Sequence, residues 1–187
     1  VMIDASRLDF ENNIAMTKEI ADYAHAHGAS AEGEIGCLGA SEGGEFTGES
    51  MYTDPKQAKE FFERTGIDAL AISIGTSHGN YPEGMVPKFD IERLREIKRL
   101  TNAPLVLHGG SGSGEENILN SVKNGINKIN VGCDFMNANR DATAKLLREN
   151  PEINYFDLIH KTEKESVGLV KYYIGLSGSA GKNKNLN

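Results

Sequence analysis

Two histidines stand at the ends of apolar runs that predict β-strands, and each is followed directly by glycine. His78 follows the run at 69–75, and His108 closes the run at 105–108. Imidazole is a common metal ligand and acid–base group, and glycine lets a ligand approach the backbone closely. Two imidazoles suit zinc, which in catalytic sites has three protein ligands and one open position. The pairing therefore predicts a shared metal. The alternative is that each histidine is a hydrogen-bonded polar group near a strand end.

Two glutamates could add carboxylate chemistry to these histidines. Glu34 lies inside the predicted strand at 31–36, with Glu32 alternating onto the same face. A carboxylate in a buried strand is costly unless it is paired or bound to a metal. Glu42 lies in a glycine-rich loop, and a loop that moves can deliver a carboxylate for proton transfer. The alternative for Glu42 is an ordinary solvated loop acid.

Glycine-rich segments follow the last two predicted strands. They are Gly109-Gly110-Ser111-Gly112 and Asn130-Val131-Gly132-Cys133-Asp134. In parallel barrels, loop amides and a helix N-terminus at this position often bind phosphate, and backbone N–H groups do so without a side-chain cation. We therefore expect an anionic ligand here. The alternative is a pair of flexible glycine turns.

The elements that position these residues alternate regularly along the chain. Short apolar runs predict strands at 1–3, 31–36, 69–75, 105–108 and 128–131. Amphipathic spacing and capping residues predict helices at 11–27, 54–66, 90–100, 115–124, 135–148 and 155–174. Strict alternation implies a parallel sheet, either open and doubly wound or closed as a barrel. A (β/α)8 barrel usually takes about 250 residues, so five units would be five-eighths of one.

Composition narrows the class of protein. The 187 residues carry a net charge of −7, which argues against binding to nucleic acid. Two widely separated cysteines indicate a reducing compartment, and we expect a cytoplasmic protein. No apolar run reaches the roughly 18 residues that span a membrane. We expect a single domain over residues 1–187 with a flexible tail at 178–187. The opening strand has no polar start, so we expect further residues upstream.

Five motifs occur in order along the chain: Ala-Glu-Gly-Glu-Ile-Gly, Tyr-Thr-Asp-Pro, Ile-Gly-Thr-Ser-His-Gly, Leu-Val-Leu-His-Gly-Gly-Ser-Gly and Ile-Asn-Val-Gly. Together they resemble the class II, zinc-dependent fructose/tagatose-bisphosphate aldolases, from Val1 to about Glu149. The resemblance implies an α/β fold, the (β/α)8 TIM barrel, of which this chain would supply about strands 4–8 and their helices. It also implies reversible cleavage of a ketose 1,6-bisphosphate to dihydroxyacetone phosphate and glyceraldehyde 3-phosphate, as part of carbohydrate metabolism such as glycolysis.

The resemblance also assigns roles to individual residues. His78 and His108 resemble two of the three catalytic Zn²⁺ ligands, and Glu34 resembles a carboxylate at a second or alternative metal position. Glu42 resembles the mobile-loop acid/base, and Asn130 falls in the catalytic and substrate-binding part. Residues that match the region binding dihydroxyacetone phosphate and a monovalent cation (Na⁺ or K⁺) are Gly79, Gly109, Gly110, Ser111, Asn130, Val131, Gly132 and Cys133. Relatives are commonly homodimers or homotetramers.

The chain also departs from the family pattern. The remaining zinc histidine and an adjacent catalytic aspartate lie on an earlier strand, which the same polypeptide or a partner chain would supply. Asp4-Ala5-Ser6-Arg7 replaces the usual Asp-Gly-Ser-His, Ala40 replaces a loop glycine, and Gly132-Cys133 stands where Asn/Asp-Thr is usual. These changes bear on the choice between fructose and tagatose bisphosphate. Two other functions stay open: a noncatalytic sugar-phosphate-binding subunit of a heteromeric complex, and an open doubly wound binding domain.

Overall fold

A computed structural model describes residues 1–36, 39–40, 52–78 and 86–182, with the backbone alone at 39–40 and 77–78. The chain forms two compact units, Val1–Asn130 and Val131–Asn187. The first unit contains strands β1 (Met2–Ile3), β2 (Glu32–Ile35), β3 (Gly39–Ala40), β4 (Ala69–Ile72), β5 (Ser77–His78), β6 (Leu105–Leu107) and β7 (Ile126–Ile129). Its helices are α1 (Phe10–Ala26), α2 (Pro55–Thr65), α3 (Ile91–Thr101) and α4 (Glu115–Lys123).

Five of these strands form one parallel sheet in the order β1-β2-β4-β6-β7. Each strand therefore pairs with the next main strand along the chain, and the order does not reverse within this sheet. A doubly wound sheet reverses its strand order at a switch point, whereas a (β/α)8 barrel keeps neighbours in sequence order. The predicted α/β fold with consecutive strands of a barrel is confirmed. Strands β3 and β5 form a separate two-stranded parallel sheet that was not predicted.

The helices of the first unit begin at capping residues that the sequence displays. Asp54 accepts hydrogen bonds from the amides of Lys56 and Gln57, both at 2.9 Å, and Pro55 occupies the first turn. A side-chain cap combined with proline at the start is a strong helix-initiation signal. The same helix ends at Gly66, whose φ of 71° is a left-handed conformation that glycine adopts at little cost. The predicted bounds of this helix are therefore correct to within one residue at each end.

The core of the first unit lies between the sheet and its helices. Leu70 and Ile72 of β4 are in register with Leu105 and Leu107 of β6, and all four are fully buried. Helix α1 approaches the sheet closely at Gly33 of β2, where an added Cβ would lie 2.7 Å from a methyl group of Thr17. The close contacts of this layer fix the strand positions from which the polar side chains extend.

The second unit contains two helices, α5 (Cys133–Glu149) and α6 (Tyr155–Leu176), which pack against each other. Polar contacts join them: the Tyr173 hydroxyl donates to Asp134 Oδ2, and Asn139 Nδ2 donates to Ser166 Oγ at 3.2 Å. Burial and the Asp134 charge raise the pKa of Tyr173 well above its ordinary value. Among the helices in the described part of the chain, none is long and apolar enough to cross a membrane.

Candidate active site

On one face of the sheet in the first unit, polar side chains from β2 and from the residue after β6 meet above the small residues of β4. Pairing places Glu34 of β2 in register with Ala71 of β4, and Ala71 in register with Val106 of β6. Residues in register share a face, as do residues two apart along a strand. Glu32 and Glu34 therefore share this face, and the backbone continues from Val106 to His108. The small side chain of Ala71 leaves space through which side chains of β2 and β6 can meet above β4.

His108 lies directly after β6 and contacts both glutamates of β2. Its Nε2 is 2.8 Å from Glu32 Oε1, and its Nδ1 is 3.3 Å from Glu34 Oε2. All three side chains are at least nine-tenths buried. The structure therefore brings together two of the three predicted metal ligands, His108 and Glu34, which are 74 positions apart in the sequence.

Glu32 is held as an ionised carboxylate. Burial alone would raise the pKa of Glu32, but hydrogen bonds from His108 and from Lys128 outweigh burial and lower it. Lys128 Nζ lies 2.9 Å from Glu32 Oε2, while Glu32 Oε1 faces His108. Hydrogen bonds to a charged carboxylate stabilise that charged form. Each oxygen of Glu32 therefore has its own positively polarised partner.

Glu34 is in the opposite situation, although it lies only two residues away. Burial, followed by the nearby charges of Asp4 and Glu32, raises the pKa of Glu34 to about 7. Its Oε2 is fully buried and has no hydrogen-bond donor among the described residues. The neighbouring Nδ1 of His108 is in contact at 3.3 Å, but the two atoms do not form a hydrogen bond. A buried carboxylate oxygen without a donor is costly, and a proton or a cation would remove that cost.

The residues present fit a zinc ion, although among the described residues no group of three His, Cys, Asp or Glu side chains is arranged to hold a metal. An imidazole nitrogen and a carboxylate oxygen are both ordinary zinc ligands, with bonds of about 2.0–2.2 Å. Neighbouring ligand atoms of a tetrahedron with such bonds are about 3.3–3.5 Å apart. The separation of 3.3 Å between His108 Nδ1 and Glu34 Oε2 matches that spacing.

His78, the other predicted zinc ligand, is the last residue of β5. The sequence predicted that it ends the same strand as residues 69–75, but β4 ends at Ile72 and a separate two-residue strand carries His78. Its backbone is in register with Ala40 of β3. β4 pairs with β6, so the segments bearing the two histidines follow neighbouring strands, as predicted. Glu42 and Gly79 lie outside the described residues.

The predicted phosphate loop after β6 is a compact turn. Gly109 and Gly112 have φ values of 67° and 69°, left-handed conformations that favour glycine. Ser113 closes the turn, because its hydroxyl donates to Gly109 O at 3.1 Å and its amide donates to Gly110 O at 3.3 Å. Ser111 is buried within the turn. The turn leads directly into α4, whose N-cap, Gly114, provides no side-chain cap.

One backbone group of this loop is already committed. The amide of Gly110 donates to Asn130 O at 3.0 Å, and the amide of Asn130 donates to Leu107 O at 2.9 Å. The Gly110 amide is therefore used to join the segments after β6 and β7. Asn130 ends the first unit. Val131, Gly132 and Cys133 open the second unit, where Gly132 is the N-cap of α5 and the Cys133 thiol is free.

The sequence profile of the family described as "Fructose-bisphosphate aldolase class-II" matches residues 1–182. The chain belongs to the class II fructose-bisphosphate aldolase family. Solved structures agree. The YdjI aldolase from Escherichia coli K12 is 36% identical, with a TM-score of 0.82 over 98% of this chain and 62% of that one. A fructose-bisphosphate aldolase from Campylobacter jejuni is 26% identical, with a TM-score of 0.78 over 97% of this chain and 61% of that one.

The chain thus spans about three-fifths of the length of these relatives. Its five parallel strands and their helices are part of a (β/α)8 barrel, as the sequence predicted. The predicted resemblance to class II aldolases is confirmed over nearly the whole chain.

Two residues of the candidate site could not be recognised as functional from the sequence. Lys128 lies on β7 and is half-exposed. In the sequence it follows the polar residue Asn127, so it looks like an ordinary surface lysine. Glu32 was placed on the same face as Glu34, but no partner was predicted for it. The alternation of Glu32 and Glu34 within a wholly buried strand was the available signal, because two buried carboxylates require nearby cations or donors.

Proposed function

We propose that the protein is a zinc-dependent aldehyde-lyase that cleaves a ketose 1,6-bisphosphate, fructose or tagatose, reversibly to dihydroxyacetone phosphate and glyceraldehyde 3-phosphate. The observation that carries the proposal is the buried pair of His108 Nδ1 and Glu34 Oε2, 3.3 Å apart, in which the oxygen has no hydrogen-bond donor in the described structure. Membership of the class II aldolase family supports the reaction type. The remaining barrel strands would complete the site.

In this proposal His78 and His108 hold zinc, and Glu34 serves a second or alternative metal position. Zinc, when bound, supplies a Lewis acid for the ketone oxygen of the substrate. Glu34 itself can hold a proton at Oε2 near neutral pH, because burial raises its pKa to about 7. Protonation would compete with metal binding at that oxygen, so the carboxylate would be released to a metal as the pH rises.

The glycine turn after β6 binds the phosphate group in this proposal. Gly109 and Ser111 supply loop contacts, and Gly110 holds the turn to Asn130 through its amide. Val131, Gly132, Cys133 and Gly79 are proposed to complete the binding of phosphate and of a monovalent cation. Binding energy from the phosphate, which is remote from the cleaved bond, can position the reacting carbons. We assign proton transfer at the substrate to Glu42, with Asn130 beside the reacting carbons.

We further propose a cytoplasmic enzyme of carbohydrate metabolism, such as glycolysis, acting as a homodimer or homotetramer. The noncatalytic sugar-phosphate-binding subunit is not favoured, because both structural relatives described above are named as aldolases. The doubly wound binding domain is not favoured either, because the five-stranded sheet follows chain order.

The proposal is tested by replacing His108 with alanine in the full-length protein. We expect bound zinc to fall well below one equivalent and cleavage of the ketose bisphosphate to fall by at least about 100-fold, because a zinc ligand is lost. His160→Ala is the matched control, since the His160 side chain is 74% exposed on α6. Metal content is measured by mass spectrometry, and cleavage by coupled reduction of the triose product. Full zinc and full activity in the His108 variant would overturn the proposal.

A further inference from the structure

We propose that Lys128 is a positioning residue: through Glu32 it fixes the tautomer of His108, so that Nε2 carries the proton and Nδ1 presents its lone pair toward Glu34. The inference deepens the proposed function, because the lone pair so presented would be the metal-binding one. It rests on a continuous set of contacts that join β7, β2 and the residue after β6.

The contacts divide the two oxygens of Glu32 between two partners. Lys128 Nζ lies 2.9 Å from Oε2, and His108 Nε2 lies 2.8 Å from Oε1. The Glu32 side chain is 10% exposed and that of His108 is 7% exposed, whereas half of Lys128 reaches solvent. The lysine therefore anchors a buried carboxylate from the edge of the site, which differs from a solvated surface ion pair, in which both partners are exposed.

Strand register explains why a residue of β7 can act on one of β2. Lys128 is in register with Val106, which is two residues before His108 and on the same face. Glu32 is in register with Ala69, and that alanine contributes little bulk above β4. Neighbouring strands are about 4.8 Å apart, so the backbones of β2 and β7 are separated by roughly 14 Å. The long side chains of Lys128 and Glu32 can cover that distance, because the alanine of β4 between them is small.

The chemistry of the donor set then selects one tautomer. A neutral imidazole has one N–H donor and one lone-pair acceptor, whereas an ionised carboxylate only accepts. The short contact from Nε2 to Glu32 therefore places the proton on Nε2 and the lone pair on Nδ1. Ligating histidines commonly donate their other ring N–H to a carboxylate in this way, and that partner fixes the ring's orientation.

A second observation agrees with a lone pair on Nδ1. Glu34 Oε2 lies 3.3 Å from Nδ1 without a hydrogen bond between them. Two acceptors that face each other in a buried position attract a proton or a cation. The tautomer set by Glu32 and Lys128 would therefore prepare the site for a metal before the metal arrives.

The test uses metal-free, full-length protein labelled with ¹⁵N at histidine. Long-range ¹H–¹⁵N spectra report the tautomer of His108, whose signals are assigned by their loss in His108→Gln. We expect the proton on Nε2 in the wild type, a mixture of tautomers in Lys128→Met, and recovery in Lys128→Arg. Zinc affinity, measured by competition with a chelating dye, should fall roughly 10- to 100-fold in Lys128→Met.

Lys59→Met is the matched control, because Lys59 has a similar exposure of 48% and a remote ion-pair partner, Glu63, at 3.8 Å. It should change neither readout. A Lys128→Met protein with the wild-type tautomer and wild-type zinc affinity would overturn the inference. A wild type that binds no zinc, but whose Nε2 proton depends on Lys128, would overturn the proposed function and support the positioning role. Circular dichroism confirms that each variant is folded.

Discussion

Replacing Glu34 with glutamine should stabilise the metal-free protein at alkaline pH. Burial raises the pKa of Glu34 from 4.5 to about 7, so folding favours its protonated form. Such a carboxyl adds no cost well below pH 4.5. Its cost then grows as the pH rises toward 7 and is constant above that value. The linkage relation gives a cost of about 1 kcal/mol at pH 5 and about 3 kcal/mol at pH 8.

Glutamine has the shape of the protonated acid and does not ionise. The free energy of unfolding of Glu34→Gln should therefore exceed that of the wild type by about 1 kcal/mol at pH 5 and by about 3 kcal/mol at pH 8. Urea denaturation between pH 5 and pH 8, with a chelator present throughout, measures both values. The difference between the two proteins reports Glu34 together with its coupling to Asp4 and Glu32, since more distant groups contribute to both in the same way.

Glu32→Gln provides a control of opposite sign on the same strand. Burial opposes the ionisation of Glu32, but hydrogen bonds from His108 and Lys128 lower its pKa below the ordinary value. The stability that Glu32 contributes is therefore present above its unfolded pKa and is lost as the pH falls. Glu32→Gln should be less stable than the wild type at pH 8. The electrostatic explanation would be refuted if the difference in unfolding free energy between the wild type and Glu34→Gln were the same at pH 5 and at pH 8.

Three further predictions concern the scaffold, each measured by urea denaturation. Thr53→Val should cost about 2–4 kcal/mol, because the buried Thr53 hydroxyl donates to Ile35 O in β2 at 2.6 Å and accepts from the Ser73 amide just after β4 at 2.8 Å; a cost below 1 kcal/mol would contradict this. Gly75→Ala should cost more than Gly66→Ala, because only the former would place a Cβ 2.6 Å from a backbone oxygen, that of Lys88; equal costs would contradict this. Asp54→Ala should cost about 1 kcal/mol through loss of the α2 cap, and no loss of stability would show that Pro55 is sufficient.

Much of the fold could be predicted because its signals are local. Caps such as Asp54 and terminal glycines such as Gly66 mark helix ends within a few residues of chain. The buried runs of β4 and β6 are recognisable from composition alone. β7 was predicted to begin at residue 128 but begins at Ile126. Its polar residues, Asn127 and Lys128, hide the strand from a search for apolar runs.

The site could be predicted only where a single residue carries the signal. Glu34 and His108 were identified because each is an unusual residue type for its position. The link from Lys128 through Glu32 to His108 depends on register across four strands, and separations of 96 and 76 residues leave no local pattern. The two-residue strands β3 and β5 were missed for a related reason. Their pairing joins residues 39–40 to residues 77–78, and no local sequence pattern indicates such a distant contact.

The proposed zinc-dependent cleavage of a ketose bisphosphate, with the metal held by His78 and His108, can be tested directly. The most direct test measures triose phosphate release by the full-length protein before chelation, after removal of the metal, and after addition of one equivalent of zinc. We expect activity to vanish on chelation and to return with zinc. Unchanged turnover in protein shown by mass spectrometry to contain no metal would contradict a zinc-dependent reaction.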